Sequence, residues 1–239
     1  MNKRWEILPI DEKKQILLEK NLHISSSLAE ILTRKNLDEN SAKLFLNPTK
    51  IPYHDPFLLK DMEKACQRLL LALKNKEKIC IYGDYDVDGV SSTALLMTVF
   101  TKLGFNIDYY LPDRHSEGYG LHIESLQKLI PKYDLLITVD CGITALDEVD
   151  YAKDKIDMII TDHHLPREIL PDAFAIINPT QTQCIYPNKN LCGVGVAFKL
   201  CQGLYQSLNK DIHELENYLD IVALGTIADI VPLVDENRR

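Results

Sequence analysis

The sequence has no surplus of basic residues, no long apolar run and no cysteine pair of the C-x-x-C kind. Its 27 Lys and Arg residues stand against 35 Asp and Glu residues, and the net charge of −8 argues against a basic protein that coats nucleic acid. No apolar run approaches the ~20 residues of a membrane-spanning helix. The first six residues also lack the apolar core of a signal peptide. We therefore expect a cytoplasmic protein with no membrane partner.

The six cysteines are scattered, and two of them fall within apolar patterns. Cys80 lies in an apolar run and Cys201 in a helical pattern, where a cysteine acts as a small hydrophobic residue. We expect reduced, structural thiols rather than a disulfide framework. Because 46% of the 239 residues are hydrophobic, the chain can bury the core of one or two domains.

Two stretches of the chain differ in their apolar spacing. Over residues 1–75, Leu and Ile recur with helical spacing, and residues 58–74 predict one long helix. The candidate N-caps of two shorter helices are Ser25 or Ser26 and Asn40 or Ser41. Over residues 76–239, short runs of Ile, Val and Tyr alternate with helical stretches. We predict a helical N-terminal segment at 1–75 and an α/β domain at 76–239.

The alternation of strand and helix patterns predicts a parallel β-sheet of about five strands flanked by helices. Strands are expected at 78–83, 106–111, 135–139, 157–161 and 173–177. Helices are expected at 89–103, 121–130, 143–154, 193–208 and 213–224. Ligands of such folds lie beyond the carboxyl ends of the strands.

Acidic and imidazole side chains stand at the ends of four apolar runs. They are Asp84, Asp86 and Asp88, then Asp140, then 162–164, and finally Asp229. Carboxylate oxygens and imidazole nitrogens together bind divalent cations such as Mn²⁺ or Mg²⁺. This pattern predicts a metal-dependent enzyme that cleaves phosphate esters.

The three alternating acids of residues 84–88 repel one another strongly unless cations hold them together. An acidic turn or a calcium-binding loop are the other interpretations of this segment. The calcium loop requires Glu at its twelfth position, and counting from Asp84 that position is Leu95, so this alternative fails. The helix that follows Gly89 can direct its N-terminus at phosphate, with Ser91 in its first turn.

His163 and His164 are adjacent, so their side chains leave the strand in different directions and we expect them to have separate tasks. One would bind a metal and the other the substrate or a bridging ligand. Asp140 can be a ligand, or it can cap a helix that starts near Ile143. Asp229 is surrounded by apolar residues, so it is either buried and paired or a ligand.

The loop at 111–121 combines side chains that suit a nucleic-acid substrate. Arg114 can clamp a phosphate with its forked donors. Tyr119 can stack on a base, and Gly118 permits close approach of the backbone. A solvated turn is the alternative interpretation.

These motifs resemble those of the DHH phosphoesterases. The matching segments are 83–89, 114–120, 139–142, 162–164 and 225–229. Within the family, the segments 117–121, 193–199 and 228–233 resemble the branch of bacterial single-stranded-DNA-specific exonucleases. The resemblance covers nearly the whole chain. It implies two Mn²⁺ or Mg²⁺ ions, and the residues it implies as ligands are Asp86, Asp88, Asp140, His163 and Asp229.

The resemblance also implies roles for other residues and an activity. His164, Arg114 and Asp84 are the implied catalytic residues. His164 would be a ligand or phosphate contact, Arg114 a phosphate contact, and Asp84 would lie behind the ligands or support one of them. The implied activity is 5′→3′ degradation of single-stranded DNA to mononucleotides in DNA repair and recombination. A helicase and a single-strand-binding protein are the implied partners. The family further implies a DHHA1-like domain and an oligonucleotide-binding domain, both absent from these 239 residues.

Two other functions remain open from the sequence. One is a phosphoesterase of the same superfamily that acts on pyrophosphate, cyclic dinucleotides or short oligonucleotides. The other is a non-catalytic scaffold, which the complete set of expected ligands disfavours.

Overall fold

The strands form where runs of β-branched and other apolar residues are bounded by glycine or polar residues. The structure is a computed structural model that describes residue 6 and residues 9–114 and 118–239. The strands are β1 (Lys78–Gly83), β2 (Asn106–Tyr110), β3 (Leu135–Val139), β4 (Asp157–Thr161) and β5 (Ala175–Ile177). Every neighbouring pair is parallel, in the order β2-β1-β3-β4-β5. The predicted parallel α/β sheet is confirmed.

Most helices differ from the sequence expectation only at their ends, but the helix expected at 213–224 is wrong, because Ile212–Tyr218 form a 3-10 helix and an α-helix begins only at Leu219. The α-helices are α1 (Glu12–Leu22), α2 (Ser26–Arg34), α3 (Glu39–Leu46), α4 (Met62–Asn75), α5 (Val87–Leu103), α6 (Ile123–Leu129), α7 (Leu146–Ala152), α8 (Gly193–Ser207) and α9 (Leu219–Ala228). Ser25 caps α2 as expected, but α3 is capped by Asp38, whose carboxylate accepts a hydrogen bond from the Ser41 amide at 2.7 Å. Among the described residues, none of the helices combines the length and apolar character that crossing a bilayer requires.

The contacts divide the chain into two units. One comprises the chain up to Tyr53 together with Arg238 and Arg239, and its helices α1–α3 share a core of Leu18, Ala29, Leu32 and Ala42. The other is His54–Asn237 and contains the sheet. The division falls earlier than residue 75 because α4 packs against β5 and α8. The assignment of 1–75 and 76–239 as separate domains stays a prediction. Residues 1–5, 7–8 and 115–117 lie outside the described residues, and the last three belong to the motif segment 114–120.

Two layers of helices cover the sheet of the larger unit. On one face α6 and α7 pack against alternate residues of the strands, including Cys80, Tyr82 and Ile160. On the other, α4, α5 and α8 contact the strands, and α9 packs against α5 and α8. Strand β3 is buried along its whole length, which explains its unbroken apolar run.

The register of the sheet brings the ends of its strands into one row. Gly83 pairs with Val139, Val139 with Thr161, and Thr161 with Ile177. The residues that follow this row are Asp84, Asp140, Asp162 and Asn178. The strand order reverses between β1 and β3, and parallel sheets bind their ligands at the carboxyl side of such a switch point. Asp84 and Asp140 flank that point.

Arg68 of α4 ties together the opposite edge of the sheet, where the strands begin. Its guanidinium pairs with Glu77 and with Asp157, each at 2.6 Å, and the Arg68 side chain is 8% exposed. Glu77 directly precedes β1 and Asp157 is the first residue of β4, so this ion-pair cluster fixes α4 to two strands far from the row of acids.

Candidate metal centre

Three carboxylates converge on one imidazole nitrogen. The Nε2 atom of His163 lies 3.2 Å from Asp140 Oδ1, 3.6 Å from Asp229 Oδ2 and 3.9 Å from Asp88 Oδ2. Asp88 and Asp140 are buried, and the side chains of His163 and Asp229 are 13% and 25% exposed. The four residues come from α5, from the ends of β3 and β4, and from the end of α9. Distant stretches of the chain therefore form one centre, as the sequence predicted.

A second group of acids adjoins the first. Asp84, Asp86 and Asp140 each place one carboxylate oxygen within 4.8 Å of the others. Asp84 is buried, whereas Asp86 is exposed and caps α5 by accepting a hydrogen bond from the Gly89 amide at 2.9 Å. Asp140 belongs to both groups, so the donor atoms form two adjacent sets with one shared residue.

The donor atoms of this centre fit divalent cations. Within the described part of the chain, both carboxylate oxygens of Asp84, Oδ1 of Asp140 and Nε2 of His163 are buried without a hydrogen-bond partner. Buried polar atoms of proteins ordinarily have such partners. The donors are carboxylate oxygens and imidazole nitrogen, a set that suits Mn²⁺ and Mg²⁺. The residues present therefore fit a pair of divalent cations.

Burial and mutual repulsion oppose the ionisation of these acids. Burial, together with the charges of Asp88 and Asp86, raises the pKa of Asp140 to about 10. Burial also raises the pKa of Asp88 and of Asp84 above the ordinary range of a carboxyl group. Cation binding requires the ionised carboxylates, so it must release protons and must become tighter as the pH rises.

The N-terminus of α8 holds the carboxylate of Asp88. The amides of Gly193 and Val194 donate to its two oxygens at 2.6 and 2.8 Å. A Cβ atom on Gly193 would lie 2.6 Å from Oδ1 of Asp140, and one on Gly225 would lie 2.8 Å from Oδ1 of Asp88. Only glycine lets α8 and α9 approach the acids this closely. The sequence suggested no such role, and its only signal was glycine at the start of a helical pattern.

Asp162 positions both histidines, a role that the sequence did not predict. Its carboxylate accepts hydrogen bonds from the amides of His163 and His164 at 2.7 and 3.0 Å, and from that of Ile143 at 2.9 Å. Burial alone would raise the pKa of Asp162, but these bonds and the His164 ring lower it. Because the Ile143 amide is bonded to Asp162, the alternative of Asp140 as the cap of that segment is wrong.

The His164 ring lies at the rim of the centre, with its centroid 4.4 Å from that of His163, and one of its nitrogens lies within 4.8 Å of donor atoms of Asp140 and His163. Its Nδ1 lies 2.7 Å from Asp162 Oδ1, and this hydrogen bond raises the pKa of His164. The hydroxyl of Tyr119 lies 3.3 Å from His164 Nε2 and donates to the backbone carbonyl of Asp140 at 3.3 Å. Tyr119 is 51% exposed, so its ring forms part of the accessible wall beside His164.

The other predicted substrate contacts are less close to the acids. Arg114 is exposed and lies over the ring of Tyr85, 5.5 Å from its centroid. Gly118 has a φ of 83°, in the left-handed region that favours glycine. Ser91 is buried in the second turn of α5, because that helix begins at Val87 and not after Gly89. The structure does not bring Ser91 to the accessible side of the centre.

The sequence model of the DHH family, N-terminal domain, matches residues 78–226, which is more than half of the chain. The chain belongs to the DHH family. Every strand of the sheet and every acid of the centre except Asp229 falls within the matched residues.

Similar proteins are single-stranded-DNA-specific exonucleases named RecJ. The enzyme of Bacillus subtilis (strain 168) is 45% identical over 238 residues, which are 98% of this DHH chain and 30% of the relative. A structure of RecJ in complex with Mn²⁺ from Thermus thermophilus is 28% identical with a TM-score of 0.82, and covers 98% of this chain and 33% of that one. A further structure of RecJ bound to manganese is 36% identical with a TM-score of 0.70, and covers 75% of this chain and 46% of that one. The chain spans about a third of the length of the curated relatives it matches.

The raised pKa of Asp140 predicts how the stability of the metal-free DHH domain depends on pH. Between pH 3.8 and about pH 10 the folded chain keeps a proton on Asp140 that the unfolded chain releases. The contribution of this proton to the free energy of unfolding is complete below pH 3.8 and is lost as the pH rises towards about 10. We expect the free energy of unfolding in a chelator to fall between about pH 5 and pH 9, by at most about 1.4 kcal/mol per pH unit for one proton.

The measurement is urea unfolding of the wild-type chain and of Asp140→Asn, which cannot ionise at this position. The variant should show a smaller fall, and saturating Mn²⁺ should reduce the fall of the wild type. If the free energy of unfolding of the wild type, compared with that of the variant, stayed constant or rose over this pH range, the electrostatic description of Asp140 would be contradicted.

The close approach of α8 to Asp140 predicts that Gly193→Ala weakens cation binding. The new methyl group must displace Asp140, and we expect Mn²⁺ affinity to fall by about tenfold or more in isothermal titration calorimetry. Gly195→Ala is the matched control in the same helix, because the nearest atoms to its Cβ would be side-chain atoms of Leu191 at 3.3 Å and of Cys192 at 3.7 Å rather than a carboxylate. Equal affinities of the two variants would show that Gly193 does not support the centre.

Proposed function

We propose that this chain supplies the metal centre of an exonuclease that hydrolyses single-stranded DNA from its 5′ end and releases mononucleotides. The observation that carries the proposal is the convergence of Asp88, Asp140 and Asp229 on His163, next to the acids at 84 and 86. The names of the RecJ relatives support the choice of substrate. Because the chain spans only part of those relatives, the activity is proposed for the protein to which this domain contributes.

We assign the cation ligands from the two sets of donors. Asp88, His163 and Asp229 would hold one ion, Asp84 or Asp86 would hold the other, and Asp140 would contact both. Two divalent cations, when bound, lower the pKa of a water molecule and neutralise the attacking and leaving oxygens of a phosphodiester. The protein contributes the fixed position of each donor, which the sheet edge and the amides of α8 provide.

Asp84 has two buried oxygens without a hydrogen-bond partner among the described residues, and one of them lies within 4.8 Å of carboxylate oxygens of Asp86 and Asp140. It can therefore complete the coordination of a cation or accept a proton from a water molecule. His164 keeps a hydrogen bond to Asp162 on Nδ1, which favours its charged form and leaves Nε2 at the accessible rim. In this role His164 stabilises the negative charge that develops on the phosphate.

Selectivity for a single strand would follow from two aromatic rings beside the acids, that of Tyr119, which is exposed, and that of Tyr85, which is half-buried. Tyr119 stands at the rim beside His164, and Tyr85 lies under Arg114. Unpaired bases stack on such rings, while the guanidinium of Arg114 can reach the backbone phosphates. Gly118 would let the backbone of the same loop approach the strand. We do not include Ser91 among the proposed substrate contacts, because it is buried.

We further propose that the complete protein works in the cytoplasm, in DNA repair and recombination. A helicase would supply the single strand and a single-strand-binding protein would keep it unpaired. These proposals follow from the resemblance to the exonuclease branch of the family and from the substrate, single-stranded DNA, that the names of the relatives state.

Removal of the central imidazole should abolish nuclease activity. The assay uses a chimera in which this chain replaces the 238 aligned residues of the B. subtilis RecJ relative. His163→Ala should reduce Mn²⁺-dependent release of nucleotides by about a hundredfold or more, since its Nε2 lies among three proposed ligands, one of which both groups share. The matched control is His213→Ala, because His213 is 62% exposed and pairs only with Glu216 among the charges that the structure describes near it. Equal rates for the two variants would refute the site.

The substrate class is tested with the same chimera. We expect a 5′-labelled single strand to release its label as a mononucleotide from the earliest times, and a 3′-labelled strand to release it last. Turnover of a dinucleotide or pyrophosphate should be at least about tenfold less efficient, because each lacks the stacked bases of a longer strand. Faster turnover of the small substrates would favour a small-molecule phosphoesterase instead.

A further inference from the structure

The segment that follows Asp229 has little apolar packing to hold it. Asp229 lies directly after the last residue of α9. Residue 230 continues the turn, residues 231–234 are irregular, and Asp235–Arg238 form a short 3-10 helix. Three of their four large apolar side chains are exposed, Ile230 by 87%, Leu233 by 44% and Val234 by 51%, and Val231 is half-buried. Hydrophobic burial is therefore not what fixes this segment or the ligand at its start.

A buried ion pair anchors the far end of the segment. The side chain of Glu236 is 4% exposed, and its Oε1 pairs with the ammonium group of Lys199 and accepts a hydrogen bond from the His54 amide at 2.8 Å. The other oxygen, Oε2, accepts a hydrogen bond from the hydroxyl of Tyr186. Both oxygens of one carboxylate are thus bonded inside the protein.

Lys199 connects this anchor to the metal centre through a single helix. It lies in α8 with 2% of its side chain exposed, and it also donates to Gln202 Oε1 at 2.8 Å. The first residues of the same helix, Gly193 and Val194, donate to Asp88. The helical rise separates Lys199 from Gly193 by about 9 Å. Helix α8 therefore binds Asp88 through its first residues, and through Lys199 it binds the segment that follows Asp229.

The pair is poorly suited to a role in stability alone. Burial lowers the pKa of Lys199, and the charge and hydrogen bond of Glu236 oppose that effect. Buried ion pairs seldom add net stability over apolar residues of the same volume, because both charges lose their hydration. They do require one specific geometry, since each oxygen must meet its donor.

We infer that Lys199 and Glu236 are positioning residues that hold Asp229 against Asp88 and His163 by anchoring the segment that follows it. The inference rests on the proposed metal centre, because its consequence is tighter cation binding. It assigns these residues no contact with substrate or cation. Their effect passes through the position of Asp229, whose Oδ2 lies 3.6 Å from His163 Nε2.

The test compares Glu236→Gln with a matched control, Glu77→Gln. Glu77 also pairs with a buried cationic side chain, Arg68 at 2.6 Å, but it lies at the opposite edge of the sheet. Two quantities are measured on the 239-residue chain: Mn²⁺ affinity by calorimetry, and hydrogen exchange of the Asp229 amide without metal. That amide donates to the Gly225 carbonyl at 2.9 Å, so its exchange reports the end of α9.

We expect Glu236→Gln to weaken Mn²⁺ binding by about tenfold, as loss of supporting contacts around metal ligands typically does. Its Asp229 amide should exchange faster than in the wild type. Glu77→Gln should retain wild-type values for both quantities even where its thermal stability falls. Tyr186→Phe removes one hydroxyl and leaves the ion pair in place, so it should show the same changes to a smaller degree. If Glu236→Gln does not fold, Tyr186→Phe is the variant that tests the inference.

Wild-type affinity and wild-type exchange in Glu236→Gln, or in Tyr186→Phe where that variant carries the test, would overturn the inference. So would equal losses in Glu77→Gln, because the effect would then be one of general stability. A wild-type chain that binds no Mn²⁺ would refute the proposed metal centre, and the exchange of the Asp229 amide would still decide whether the anchor holds that residue.

Discussion

The carboxylates of Asp84, Asp88 and Asp140 are each at most 2% exposed, so they repel one another with little water between them. That repulsion is the constraint on which the rest of the domain depends. Burial, together with this repulsion, raises the pKa of Asp140 to about 10, and a folded chain without cations must either protonate the acids or bear their repulsion. Divalent cations relieve it directly. An arrangement that is unfavourable on its own is thereby suited to binding two ions and the phosphate between them.

The fold opposes this repulsion with rigid backbone rather than with neutralising side chains. The parallel register sets Asp84 and Asp140 side by side at the switch point of the sheet. Asp140 has a φ of 60°, a left-handed conformation that a non-glycine residue adopts only where its surroundings enforce it. The amides at the start of α8 supply positive ends of peptide dipoles to Asp88. Asp162 binds four donors and so fixes both histidines without competing for the cations.

The sequence alone predicted the sheet and the convergence of the acids, because both follow from local patterns. β3 occupies residues 135–139 as expected, since a fully buried strand leaves an unbroken apolar run. Strand ends in a parallel sheet meet at one edge, so the acids after β1 and β3 had to be neighbours. The hydrogen bonds of Asp162 and the amides that hold Asp88 were not predictable. They depend on how α8 and the loop at Ile143 approach the sheet. The burial of Ser91 was not predictable either, because α5 begins at Val87, two residues before the start that Gly89 indicated.

Anomalous X-ray diffraction from crystals of the chain grown with Mn²⁺ tests the central claim most directly. We expect two manganese peaks: one bounded by Asp88, His163 and Asp229, and another on the side of Asp84 and Asp86, with Asp140 between them. Peaks elsewhere on the surface, or none among these side chains at saturating Mn²⁺, would contradict the assignment of this cluster as a two-cation centre.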